Sequence, residues 1–324
     1  MNRRIFRPLR FVLLAGWCLL FLRCETTEKS MVRAVSLTQN GQTVTVGLLY
    51  QAPEAAADAS EASAETAYQS AEGETLEKAL AQAEQALPNA ADYRLCDYLL
   101  IDREAPQELL AAYEDLVLQK EKGRLAAKVC ILAFDSSEND DLQKELPDKL
   151  LEKLQKNADW MPRLYKRKNG MLLPQMVVKN KGASFDAESV FRQGDRDIVL
   201  DGEETSMTQL LLGMGKGWSF WLGERKVTLR RCTVSVTLQG DTALLRLDCQ
   251  LDRTEPVPDA AQCAQLETLC TETIRELWQQ GVDVLHLQQR SALQNGTGGE
   301  SVQLKNACPQ LQADVSFLSF FSSP

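Results

Sequence analysis

The 324-residue chain contains one histidine, His286. A lone imidazole excludes metal sites built on two or three histidine ligands, and it leaves His286 as the single base open to a Ser-His or Cys-His pair. It lies in the run Asp283-Val284-Leu285-His286-Leu287, beside the longest amphipathic stretch of the chain. A half-buried or surface imidazole is the ordinary occupant of such a place. Carboxylates cluster twice, at Asp201, Glu203 and Glu204 and at Asp135, Glu138, Asp140 and Asp141. Paired carboxylates can exchange protons or bind Ca²⁺. The EF-hand spacing is absent, and acids that precede a helix are explained by the helix dipole. Gly213, Gly215 and Gly217 surround Lys216 and suggest a phosphate loop. That loop needs four residues between its first glycine and its Gly-Lys pair, then Ser or Thr. Here Gly217 follows the lysine, so a helix C-cap and turn is the better account. The residues therefore offer no catalytic constellation, no cofactor site and no metal site.

The cysteines are nine: Cys18, Cys24, Cys96, Cys130, Cys232, Cys249, Cys263, Cys270 and Cys308. With no pair spaced as Cys-x-x-Cys, zinc-knuckle and dithiol redox motifs are not indicated. Cys96 and Cys130 lie in strand-like runs, where a thiol packs as a small apolar group. Cys263 and Cys270 share one face of a predicted helix but lie about 10 Å apart along its axis, too far to bridge. Core thiols and at least one disulfide both stay open.

Composition narrows the classes further. There are 36 basic and 45 acidic residues, a net charge of −9, which argues against nucleic acid as a partner. Hydrophobic residues at 44% and charged residues at 25% suit a folded globular body. The first 24 residues differ from the rest. They hold five arginines (Arg3, Arg4, Arg7, Arg10 and Arg23) and no acid, and an unbroken apolar run covers 11–22. A basic segment followed by a short apolar one reads as an export signal, and twelve residues are short for a spanning helix. The arginines should stay on the cytoplasmic side and place the body outside. Lipid attachment at Cys24 and an uncleaved anchor both stay open.

The elements behind these residues follow from periodicity. Strands are predicted over 31–37 and 42–51, joined by a turn at Asn40-Gly41. Residues 52–73 are rich in Ala, Glu and Ser with almost no large apolar side chain, and read as a flexible insertion. A helix with Leu76, Leu80, Ala83 and Leu87 on one face ends at Pro88. A strand over 95–101, an amphipathic helix over 106–118 and a strand over 126–134 follow. The last is apolar enough to be covered on both faces. Residues 141–157 read as a helix interrupted by Pro147. Residues 160–181 are basic (Arg163, Lys166, Arg167, Lys168, Lys179 and Lys181) around a strand at 171–178. Lysines guarding a solvated strand edge are the plainer account of that charge, and a patch facing lipid headgroups or a partner is the other. Strands at 187–191 and 197–200, a helix at 203–212, a long hairpin of 227–238 with 243–251, a helix at 259–280 and a strand at 315–321 complete the chain.

The fold class is α/β or α+β, with two to three small domains of mixed sheets packed by helices. The expected organisation is a signal or anchor at 1–24, an N-terminal α/β domain at 25–160, a connector or middle subdomain at 161–215, and a C-terminal mixed β domain with a long helix at 216–324.

This order resembles the Ger(x)C family, the C subunits of spore-germination nutrient receptors. The similarity runs from Cys24 through the first hairpin. It continues through Gly73, Thr75, Leu76 and Ala79 at the start of the first helix, and through the strand, helix and strand of 95–134. The segment 190–213, Trp221-Leu222, the long hairpin and the helix leading to Leu287-Gln288-Gln289 extend it. The Gly-His pair that often opens the family's strand is absent here. The resemblance implies a lipid-modified cysteine, at Cys24, and a body facing away from the cytoplasm at the spore inner membrane. It also implies a non-enzymatic role, with the integral-membrane A and B subunits of a germinant receptor as partners. The other function considered is an extracytoplasmic solute-binding lipoprotein or enzyme that uses a carboxylate cluster.

Overall fold

The computed structural model describes residues 28–51, 66–134, 147–179, 182–193, 196–240, 242–252, 256–294 and 308–318. Strands β1 (Lys29–Asn40) and β2 (Thr43–Gln51) form the antiparallel hairpin that Asn40-Gly41 predicts. Thr66–Gly73, expected within a flexible insertion, is instead strand β3, paired with β2 from Gln51↔Thr66 to Val44↔Gly73. Its side chains are small and polar, so periodicity gives no sign of it. The backbone ladder holds it, together with one aromatic residue. Tyr68 lies over Gly47, where a Cβ would collide with the Tyr68 and Ser36 hydroxyls, and those two hydroxyls share a hydrogen bond of 3.1 Å. Residues 52–65 of the expected insertion lie outside the described residues.

Helix α1 (Leu76–Gln85) starts at Thr75, whose hydroxyl accepts from the Lys78 amide. It buries Leu76, Ala79, Leu80 and Ala83. The short β4 (Ala90–Asp92) runs parallel to the start of β1. Then come β5 (Tyr98–Ile101), α2 (Gln107–Lys120) and β6 (Lys128–Phe134). Strands β1, β5 and β6 pair in parallel. Their apolar residues divide by alternation. Leu99, Ile101, Val129 and Ile131 pack on α1 and α2. Tyr98, Leu100, Cys130 and Leu132 pack on the opposite face with Leu150, Leu151 and Leu154 of α3 (Pro147–Lys156). Both faces are thus covered, as the apolar run predicts. Helix α3 is described from Pro147 onward, so the place of Pro147 within the expected helix is not fixed by the described residues. Residues 141–146 lie outside the described residues.

The basic stretch after 160 carries β7 (Met171–Lys179). This strand is not a sheet edge: it pairs with β6 in parallel and with β8 (Gly182–Gln193) antiparallel. Lys179, its one lysine, therefore does not mark an outer edge of the sheet. Arg167 instead pairs with Glu114 of α2 at 2.8 Å, with both side chains largely buried. Strand β9 (Arg196–Leu200) completes a sheet of order β3-β2-β1-β5-β6-β7-β8-β9, with β4 beside β1. Helix α4 (Gly202–Leu211) follows.

The second sheet has the order β10-β11-β12-β13, from β10 (Trp218–Leu222), β11 (Arg225–Gln239), β12 (Thr242–Leu251) and β13 (Gln310–Leu318). Strand β13, predicted only from residue 315, runs parallel to β12 from Gln310 onward. Helix α5 (Ala260–Gln279) packs Leu266, Cys270, Ile274 and Leu277 onto this sheet, and α6 (Leu287–Gln294) follows. The same core takes in Leu172, Phe191 and Leu200 from β7, β8 and β9, so residues of both sheets meet in one apolar cluster. The result is a mixed α/β architecture of two sheets packed by helices. Among the described residues no helix is long and apolar enough to cross a membrane.

Candidate functional site

Strand β10 pairs with β11 only over Arg225–Leu229. Beyond Leu229, the side of β11 that faces away from β12 has no strand partner among the described residues. A bulge between Leu229 and Arg231 also breaks the β11–β12 register there. A bulge re-aims side chains that alternation would send to opposite faces. Arg230 and Arg231 accordingly both line a cleft of about 880 Å³ along this open edge. The C-terminus of α4, the glycine turn after it, the 3₁₀ turn Leu164–Asn169 and the segment before α6 close around it. Leu211, Leu212, Trp218, Val234, Val284 and Leu285 supply apolar lining. Lys166, Lys216, Arg230, Arg231, Arg290 and His286 supply polar groups, with Thr233 and Gln250. Among the described residues no carboxylate lines it. The wall thus gathers five cations from segments far apart in the chain.

Local sequence accounts for each wall. Helix α4 stops at Gly213, which adopts φ +64, and the amides of Gly213 and Met214 donate to Leu210 and Gln209 carbonyls at 3.0 and 2.9 Å. Gly215, at φ +74, lies against the Trp160 ring, which occupies the space a Cβ would need. Trp160 in turn meets Trp218 edge to face, with centroids 6.3 Å apart. The Gly-Lys turn is thus a helix stop, as its failed spacing predicts. It nevertheless carries Lys216 to the cleft, 3.5 Å from Asp159, with both side chains mostly exposed. Trp218 is 4% exposed, and its indole N–H has no partner among the described residues.

His286 sits at φ +55, a conformation uncommon for a side-chain-bearing residue. The Asp283 carboxylate fixes the turn by accepting the amides of Leu287 and Gln288 at 2.8 Å each. The Asp283 amide donates to Gln193 Oε1 on β8 at 3.2 Å. Burial pushes the imidazole below its ordinary 6.5, Arg290 and Lys166 lower it further, and Asp283 opposes them. Arg290 is steadied by its Nε, which donates to the Leu285 carbonyl at 3.1 Å.

The acidic cluster at 201–204 is spent on structure. Asp201 accepts the Glu203 and Glu204 amides, and Glu204 reaches back to the Asp201 amide, forming a capping box. The cluster at 135–141 and Cys24 lie outside the described residues. Every described cysteine is a free thiol. Cys232 and Cys249 face each other across β11 and β12 with sulfurs 3.4 Å apart. The Cys232 thiol and burial push Cys249 well up, and burial pushes Cys270 up to about 12. Among the described residues no group of three or more His, Cys, Asp or Glu side chains could hold a metal.

The cationic residues of the cleft escape sequence reasoning because they come from four separate segments. One signal was present. Val227 and Leu229 set an alternation that resumes at Cys232, Val234 and Val236 one position out of phase. A phase change at Arg230-Arg231 is the mark of a bulge.

No family model matches the chain, and no curated protein matches it. Among solved structures the chain is similar to one described as the crystal structure of the GerBC protein. The TM-score is 0.48 and the identity 10%, over 88% of this chain and 96% of that one.

Proposed function

We propose that the chain is a membrane-anchored, outward-facing C subunit of a nutrient germinant receptor, acting without catalysis by docking on the two integral-membrane subunits. One observation supports it most. The segments that carry the Ger(x)C resemblance keep their order and kind in the fold. Gly73 ends β3 and Thr75 caps α1, residues 95–134 hold β5, α2 and β6, residues 190–213 hold the end of β8, β9 and α4, and the hairpin β11–β12 leads through α5 to Leu287-Gln288-Gln289. Cys24 is the proposed lipid site, and the apolar run at 11–22 the alternative anchor. Firm attachment takes two signals, such as one acyl chain plus a protein partner. The capping role of Asp201 and Glu204 leaves nothing there to favour carboxylate chemistry.

The test is affinity capture of the tagged full chain from spore inner membranes, with mass spectrometry of its partners and of the N-terminal peptide. Recovery of two multi-span germination subunits, with a lipid-modified Cys24 or an intact apolar anchor, is the expected result. Recovery of no membrane partner refutes the receptor role.

A further inference from the structure

We propose that Cys232 and Cys249 are a disulfide-forming pair, closed by exchange with a small-molecule disulfide that enters the cleft beside β11. Three observations carry it. The two residues are direct partners in the β11–β12 register, and their sulfurs are in contact at 3.4 Å, so a bond between them asks for only a small approach. The bulge between Leu229 and Arg231 breaks the ladder right beside Cys232, and a covalent link there holds the two strands where their backbone pairing is weakest. The two thiols also differ in access. Cys232 is 7% exposed and lines the cleft of about 880 Å³, whereas Cys249 is fully buried and does not line it. Cys232 is therefore the thiol that a reagent in the cleft meets first. The proposal stands on this geometry and is independent of the receptor reading.

The exchange runs in two steps. Cys232 loses its proton and its sulfur attacks one sulfur of the reagent, whose S–S bond breaks to release one small thiol. Cys249 then loses its proton and attacks the Cys232 sulfur, which forms the Cys232–Cys249 bond and expels the second small thiol. The pair gives up two electrons, the reagent takes them, and the two protons end on the two small thiols. In the reduced pair the Cys232 thiol and burial both push Cys249 up. Burial remains once Cys232 is capped, so the Cys249 thiolate stays scarce and the second step is the slower one. Cys270 of α5 is the third thiol of this core, but its Sγ is turned to Met207 Sδ at 3.6 Å, which leaves Cys249 as the partner of Cys232.

The experiment incubates the detergent-purified full chain, reduced and then freed of reductant, with 2-hydroxyethyl disulfide. Remaining thiols are blocked with N-ethylmaleimide in urea, and the peptides are mapped by mass spectrometry. The expected product links Cys232 to Cys249 and leaves Cys130 and Cys270, both buried, as thiols that alkylate only after unfolding. The linked chain should unfold several degrees above the reduced one, because the bond closes a loop between residues 17 positions apart, and dithiothreitol should abolish the difference. Cys249→Ala should stop at a mixed disulfide on Cys232, and Cys232→Ala should leave Cys249 unmodified, with circular dichroism verifying that each variant folds. Cys263 and Cys308, partly exposed, report that the reagent is active. A folded wild type that forms no link while Cys263 and Cys308 are modified overturns the proposal, as does a link of either residue to Cys270. Modification of Cys249 in folded Cys232→Ala overturns the order of the steps. The wild-type map decides the pairing whether or not the variants fold.

Discussion

Arg192 is a buried cation that joins three elements of the fold. It sits on β8, is 3% exposed, and forms a fork with Asp197 of β9, with Nε to Oδ1 at 2.8 Å and Nη2 to Oδ2 at 2.5 Å. The same guanidinium donates to the carbonyls of Ala105 and Arg103 at 3.1 and 2.9 Å, in the connection between β5 and α2. One side chain thus ties β8 and β9 to the start of α2. Arg192→Met keeps most of the stem and removes every donor. Two carbonyls and one carboxylate then lose their partner. Breaking a buried ion pair from one side costs about 3–5 kcal/mol, and Asp197, 39% exposed, recovers part of that from water. The expected loss is therefore near the lower end, about 3 kcal/mol, or a shift of about 1 M in the urea midpoint for a slope of about 3 kcal/mol/M. Urea unfolding followed by far-ultraviolet circular dichroism measures it. Replacing both partners, as Arg192→Met with Asp197→Leu, should recover part of the loss, because no unpaired carboxylate remains. A midpoint change in Arg192→Met equivalent to less than about 0.5 kcal/mol, the range of an ordinary surface substitution, would refute the reasoning.

Gly47→Ala should destabilise the fold by about 1–3 kcal/mol by forcing Tyr68 off β2, and the double change Gly47→Ala with Tyr68→Ala should cost less than the two summed; thermal unfolding of the four proteins decides it. His286→Asn should flatten the pH dependence of stability. In the wild type the lowered imidazole, faced by Asp283, Arg290 and Lys166, contributes fully above pH 6.5, and that contribution is lost as pH falls through its folded value. Asparagine tolerates the positive φ at this place, so the variant should fold, and unfolding midpoints between about pH 5 and 8 provide the check. Cys232 and Cys249 are directly opposed in the β11–β12 register, and such pairs have Cα atoms about 4.5–5.5 Å apart, inside the disulfide range. Treating the chain with diamide, which takes up the two hydrogens, should remove those two thiols from alkylation while Cys130 stays reactive after unfolding; peptide mass mapping reads the pair, and a different pairing would contradict the register.

Local sequence determined most of the elements and little of the site. Asn40-Gly41 and the glycine after α4 are local signals that turn or stop the chain, and the structure uses both as sequence predicts, while Thr75, Asp201 and Asp259 prove to be N-caps. The apolar run of β6 likewise announced cover on both faces. Strand β3 was hidden, because an edge strand of small side chains is held by its neighbour's backbone and by the room that Gly47 leaves for Tyr68. The interior place of β7 was hidden too, since strand order depends on which partner arrives, not on the strand's own composition. The cleft belongs wholly to tertiary structure. Lys166, Lys216, Arg230, Arg231 and Arg290 are unremarkable surface cations along the chain, and only the packing of α4, the bulged edge of β11 and the turn before α6 brings them to one wall. Local rules act over a few residues and so can be read from the sequence. The charge of a concave surface is a sum over distant segments, and only the fold determines which segments enter it.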